Sequence, residues 1–441
     1  MVEETEWANK VNMARMNERL CSWATGFHPR NLSCGLNGGF LNGSYNVGQK
    51  LVFDDGATWL LRLPRGSSVS PEYADEKIAM EVEAFHLILE RTSLPVPREN
   101  QLGLGPFILM SFINGICLLE VFGGGNSRLI REDIPDTDIE YVYRQMAHFM
   151  LQLYKIDFSR IGSLPTLKTT FPAPGRPLTW KAHEILRVGG VDTFDDGAYG
   201  FSTTREYFEY VISQDWQQLR LQPNAIAGPR SAKSRYSSLK ILKSLIPDFI
   251  NTSYDRGPFK LICDDFGIGN VIARSKDDLK ITGVVDMKWV YAGPAQLFGS
   301  APWWLLMDRP VNEKWDFEEK DAPEATDRYF KYLEIFIRVL SDEEDKMTGN
   351  GRKELTELVK WSKDSGAMSL HMLLPSGFFD TPTFPCMQLR KFNGTEWWDE
   401  RMKDNMDTEE VEHFKALMDN EITTIDFMIS VYSLLRSDRE M

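Results

Sequence analysis

Residues 259–296, FKLICDDFGIGNVIARSKDDLKITGVVDMKWVYAGPAQ, constrain the fold more than any other stretch of this chain. Short apolar runs alternate with polar, glycine-containing connections, and the polar residues stand at the ends of the apolar runs. The pattern predicts strand, polar loop, strand, turn, strand. Asp265 and Asn270 lie in the first loop, separated by four residues. Asp286 closes the second following strand at the entrance to a new loop. Two carboxylates and an amide are thereby expected to converge at one end of a β-hairpin.

The sequence before this stretch divides into two textures. Residues 1–30 read as a polar helix and connector, with Trp7, Val11 and Met16 as candidate anchors. From Leu36 the runs 44–53 and 58–63 are β-rich and flank the turn Asp54-Asp55-Gly56, which predicts a hairpin preceded by glycines. Over 71–91 the apolar residues Ile78, Val82, Phe85 and Leu89 recur at helical spacing, with Glu81 beside the stripe. Pro106 introduces FILMSFI, a buried strand. Beyond Asn114-Gly115 the chain becomes mainly helical. Val142, Met146, Phe149 and Leu153 form one stripe, and further helices are expected near 207–221, 234–246, 318–340, 353–362 and 409–435.

Size and composition set the outer limits. At 441 residues the chain exceeds what a single core usually supports, so two sub-domains sharing a cleft are expected. A formal charge of −14 leaves no Lys/Arg stripe to grip nucleic acid. Five scattered cysteines without C-x-x-C spacing indicate neither a disulfide framework nor a zinc site. The acidic start MVEETEW lacks the basic opening of a signal peptide, and no uncharged apolar run reaches the ~18 residues of a membrane span. A cytoplasmic protein with no membrane partner is the expectation.

Phosphoryl transfer asks for an oriented hydroxyl, divalent ions bridging phosphates and donors around a triphosphate, all of which call for hard oxygen ligands and cations. Asp265 with Asn270 is by itself equally readable as an Asx-rich turn between strands. The order of hairpin, helix, strand and then this loop decides for chemistry. CDDFGIGN and VVDMKW resemble the catalytic loop and the later metal-binding Asp of the protein-kinase-like fold. More specifically, they are similar to the aminoglycoside phosphotransferase and choline kinase superfamily in its fungal-type branch, which tends to read HDDLHPGN and IDW. GGFLNGSYNV, WLLRLPR, EVEAFHLI, FILMSFINGICL and GPAQLFGSAPWWLL extend the resemblance over roughly residues 35–310.

The resemblance implies an α+β, two-lobed fold. A small antiparallel-sheet lobe (31–113) would follow a helical extension (1–30) and precede a larger, mainly helical lobe (114–441) carrying the catalytic segment 261–286. It implies ATP and Mg2+ as cofactors and a small-molecule acceptor bearing a hydroxyl, amine-containing alcohols among them. Asp265 would orient that hydroxyl, and Asn270 and Asp286 would hold magnesium. Arg62 would contact the phosphates with Glu81 holding it in place. Gly43 and Ser44 would lie over the nucleotide, and Met110 and Phe112, in the segment 110–113, would meet the adenine edge. Two positions depart from the family pattern: Cys263 stands where it usually has His, and Gly267 where a second His is common. A nucleotide-binding pseudoenzyme is therefore a rival reading. A protein kinase is disfavoured because Asp286 opens D-M-K rather than D-F-G and no activation-loop-like segment runs from it to a matching end signal. Trp303 and Trp304 are candidates for an aromatic wall around an amine.

Overall fold

The structure is a computed structural model. It describes residues 2–416 apart from 66–68, 95–98, 101–106, 125–126, 195–198, 223–228, 312–321, 377–382 and the single positions 44, 350, 407, 410 and 413. Ser44 and most of the helix expected over 409–435 lie outside the described residues. The chain is α+β: a small lobe with an antiparallel sheet and a larger, mostly helical lobe.

The small lobe opens with α1 (Val2–Met16) and α2 (Arg19–Thr25), followed by β1 (Cys34–Asn42), β2 (Asn46–Phe53) and β3 (Thr58–Pro64). Helix α3 (Ala74–Arg91) precedes β4 (Glu99–Asn100) and β5 (Ile108–Ser111). The sheet order is β1-β2-β3-β5-β4. Successive strand residues face opposite ways, and here both faces are apolar. Leu60, Ile108 and Met110 join the core shared with α3 and the large lobe, whereas Leu51, Phe53, Leu61 and Leu109 face α2. The N-terminal anchors are therefore Leu20 and Ala24, helped by Trp23, whose ring lies 4.5 Å from that of Phe107. Met16, an expected anchor, is 76% exposed because it points away from this contact.

Helix α3 is buried more completely than a one-sided stripe requires. Its acids find partners on the remaining faces: Glu76 pairs with Arg176, and Glu83 accepts from the N–H groups of Lys168 and Thr169. Enclosure between sheet and large lobe is tolerable because these charges are paired.

The large lobe begins at β6 (Ile116–Cys117), α4 (Leu118–Phe122), β7 (Gly123–Gly124) and β8 (Ser127–Ile130). Helix α5 (Asp136–Tyr154) buries Val142, Met146, Phe149 and Leu153. Next come α6 (Trp180–Gly189), α7 (Thr204–Leu221) and α8 (Pro229–Leu245). Strands β9 (Lys260–Cys263), β10 (Val271–Ala273), β11 (Ile281–Val284) and β12 (Val290–Gly293) precede α9 (Ala295–Phe298), α10 (Ala322–Thr348), α11 (Glu354–Asp364), α12 (Ala367–Leu373), α13 (Phe384–Asn393) and α14 (Thr395–Met406). The predicted single hairpin is in fact two small sheets. β9 pairs with β12, which the sequence pattern does not separate from the following loop, while β10 pairs with β11 and β6. Asp265, Asn270 and Asp286 lie between these sheets. Among the described residues no helix is long and apolar enough to cross a membrane.

Candidate active site

Asp264 and Asp265 follow β9, and a short 3-10 turn at Ile268–Asn270 delivers Asn270 to the start of β10. Asn270 Nδ2 donates to the Asp265 carbonyl at 2.8 Å and lies 3.3 Å from its Oδ2. The Asn270 carbonyl in turn accepts from the Val285 N–H at 2.9 Å, which ties this loop to the one after β11. There Asp286 adopts φ +67°, a left-handed conformation that a non-glycine residue holds only when its surroundings require it. Two charged bonds meet that requirement.

The first comes from the small lobe. Arg62 Nη1 donates to Glu81 Oε1 at 2.6 Å and Nη2 to Asp286 Oδ1 at 2.8 Å, so one guanidinium joins β3, α3 and the large lobe. The second comes from Lys288, whose Nζ donates to Asp286 Oδ2 at 2.7 Å and lies 3.2 Å from Asp265 Oδ2. Arg309 Nη2 donates to the Asp264 carbonyl at 2.5 Å and lies 3.4 Å from Asp265 Oδ1. Each carboxylate is thus held between two cations.

Burial alone would raise the Asp286 carboxyl, but Lys288 and Arg62 outweigh it and hold it well below the usual range. Burial would likewise lower Lys288, yet Asp286 and Asp265 keep it above an ordinary lysine. Lys77, one turn before Glu81, is different. Burial pulls it down, its Nζ stands 3.8 Å from Glu81 Oε2, and it has no hydrogen-bond partner among the described residues.

The structure brings Arg62, Glu81, Asp265, Asn270 and Asp286 into one bonded group and leaves three other expected residues outside it. The Gly43 N–H donates to the Asn46 carbonyl within the hairpin rather than standing free for a phosphate. Met110 is buried between Leu60 and Glu99 on neighbouring strands. Phe112 gives its N–H to the Thr58 carbonyl, and its ring carries Lys50 Nζ at 4.2 Å. Sequence reasoning missed Lys288 and Arg309. Lys288 was in view in the motif VVDMKW, two positions after Asp286. Arg309 had no such signal. Nor did His183, remote in sequence, whose ring lies tilted 4.8 Å from that of Trp289, the neighbour of Lys288.

The other side of the loop borders a mostly apolar cavity of about 120 Å³, lined among others by Cys263, Asp264, Phe266, Met287, Trp303 and Arg309. Both tryptophans of the expected wall border this cavity. Trp304 is buried against Tyr143 and Phe336, with ring centroids 5.8 and 5.5 Å away, and serves packing. The Arg309 guanidinium lies 4.3 Å over the Trp303 ring and occupies one of its faces. The same two residues crowd Gly267: a Cβ there would come within 3.0 Å of Trp304 Cβ and 3.1 Å of the Trp303 ring, so any side chain would require both tryptophans to shift.

No protein-family profile matches this sequence, and no curated protein matches it. Solved structures show a loose likeness. A macrolide 2'-phosphotransferase of type I is 10% identical, with 89% of this chain and 97% of that one covered at a TM-score of 0.41. The macrolide 2'-phosphotransferase MphH from Brachybacterium faecium is 12% identical over 83% and 98%, also at 0.41. Amicoumacin kinase hAmiN, in complex with AMP-PNP, Ca2+ and Ami, is 10% identical over 90% and 96% at 0.37. Likenesses this loose carry no weight for chemistry, which must be read from the site itself.

Proposed function

We propose that this chain is an ATP-dependent phosphotransferase that moves the γ-phosphoryl group onto a hydroxyl of a small molecule. One observation carries the reading: Arg62, 224 residues distant in sequence, meets Asp286 across the lobes, beside Asp265 and Asn270. A cation, a loop amide and two carboxylates gathered where the two lobes meet make a candidate chemical site.

A divalent ion fits the donor set. Asn270 Nδ2 is pinned by Asp265, which turns the amide oxygen the other way, and Asp286 supplies a carboxylate. Among the described residues no group of three or more His, Cys, Asp or Glu side chains could hold a metal by itself. Magnesium takes one or two carboxylates and completes its shell from phosphates and water, so Asp286 with the Asn270 amide is a sufficient protein contribution. Asn270 and Asp286 would hold it, and its charge would offset that of the triphosphate.

The remaining work falls to the chain. Arg62, oriented by Glu81, meets phosphate oxygens, where a guanidinium can bond in a bidentate manner. Gly43, Ser44, Met110 and Phe112 are assigned to the nucleotide side. Asp265 accepts the acceptor's hydroxyl proton as its oxygen bonds to the γ-phosphorus and the bond to the β-phosphate oxygen breaks, releasing ADP. The apolar cavity holds the carbon body of the acceptor. One face of Trp303 being taken by Arg309, an apolar alcohol suits it better than an amine-bearing one.

The test is a screen of hydroxyl compounds for ATP consumption and added phosphate mass, repeated with Asp265→Asn and Asp286→Asn. Asp265→Asn should lower turnover by at least ~100-fold and leave ATP affinity within ~3-fold. Asp286→Asn should weaken both. Full turnover in Asp265→Asn would end the assignment. The rival reading, nucleotide binding without turnover, is favoured by the hold of Lys288 on Asp265, and requires ATP to raise the melting temperature while no acceptor is phosphorylated.

A further inference from the structure

The Asp286 carboxylate that would hold a divalent ion already has a cation against it. Lys288 Nζ lies 2.7 Å from Asp286 Oδ2 and 3.2 Å from Asp265 Oδ2, with a side chain only 9% exposed. It packs over the Tyr45 ring at 4.7 Å, and Tyr45 is fixed in turn by the Trp180 indole N–H at 2.9 Å. The ammonium is therefore seated rather than swinging in solvent. The other Asp286 oxygen is taken by Arg62, the other Asp265 oxygen faces Arg309, and Lys77 stands behind Glu81. Four basic side chains, Arg62, Lys77, Lys288 and Arg309, thus stand among four carboxylates, Glu81, Asp264, Asp265 and Asp286, so the cluster has no negative excess to draw a dication from solution.

We propose that Lys288 is the resident cation of this site: it joins Asp265 to Asp286, takes the Asp286 oxygen that a divalent ion held by Asn270 and Asp286 would need, and keeps free divalent ions out until a ligand displaces it. The assignment deepens the phosphotransferase reading, because it names what holds the two carboxylates together before substrate arrives. Like charges brought together cost several kcal/mol, so a metal ion can use Asp286 fully only where the ammonium has moved or is missing. A phosphate-bearing ligand supplies the negative charge that lets both cations coexist.

The experiment titrates the full-length protein with Mn2+, reading free Mn2+ by electron paramagnetic resonance, without nucleotide or acceptor. Lys288→Met should bind Mn2+ at least ~10-fold more tightly than wild type, while Lys288→Arg, which retains the charge, should stay within ~3-fold of wild type. Lys288→Gln serves as a second neutral variant should the methionine chain fold poorly. If the neutral variants bind Mn2+ no more tightly than wild type, or the arginine variant gains as much as they do, the proposal is overturned. Because nothing is turned over, failure to find an acceptor does not affect this result, and failure of the Mn2+ test leaves the Asp265→Asn experiment intact.

Discussion

At the scale of single residues, burial decides which charges the large lobe can carry. Burial pushes the Asp264 carboxyl up to about 6, offset in part by Arg309, the Trp180 N–H and the Tyr291 hydroxyl. The folded state then holds a proton that the unfolded chain releases, so this residue makes stability fall as pH rises from about 4 to about 6. His371 has the opposite sign. Burial drives it down to about 3, with its ring nitrogens bonded to Ser300 and Gln296 at 2.9 Å each. Unfolding lets it take up a proton below pH ~6.5, so stability is lost as pH falls through that window. Asp264→Asn should therefore steepen the acid loss of melting temperature between pH 6 and 4, and His371→Gln should flatten it. Identical pH profiles for both variants and wild type would contradict this account. Glu81 gives a sharper test, since it is fully buried and bonds Arg62 at 2.6 Å. Glu81→Gln leaves a buried guanidinium with one anion fewer and should lower unfolding free energy by about 3 kcal/mol in urea titrations.

At the scale of elements, the hairpin, α3, β5 and α5 were all legible from periodicity. Pleat alternation and helical stripes are local consequences of geometry. The pairing of β9 with β12 was not, because which strands meet is settled by the packing of remote segments. The β6–β10 contact depends on Gly115, whose φ is +153° and whose missing Cβ leaves room for the Ala273 carbonyl 2.2 Å from where it would sit. Gly115→Ala should cost more than about 1 kcal/mol through both strain and clash. Because β10 begins at Asn270, turnover should fall as well, whereas a variant that melts and turns over like wild type would show that the contact can relax. Glycine was noted there in the sequence as a boundary, but its close approach to β10 was invisible without the partner strand.

At the scale of the whole molecule, the small-lobe sheet is apolar on both faces, and α2 covers the outer one. Deleting residues 1–25 should uncover Leu51, Phe53, Leu61 and Leu109. The expected outcome is a lower melting temperature and binding of an apolar dye, and an unchanged melt would mean that α2 adds little. The lobes themselves are joined by Arg62, which no window of sequence could pair with Asp286. The order of motifs by itself determined the fold class, the three oxygen-bearing residues of the two loops and the identity of Arg62 and Glu81 as partners, since these follow from local pattern and from a resemblance carried by short motifs. Only the tertiary structure decided that Lys288 stands between the two carboxylates, that Arg309 covers one face of Trp303, and that Trp304 is core. Those outcomes depend on where side chains from distant segments come to rest when their charges are buried together, and Coulomb energy at 3 Å is set by that geometry rather than by separation along the chain.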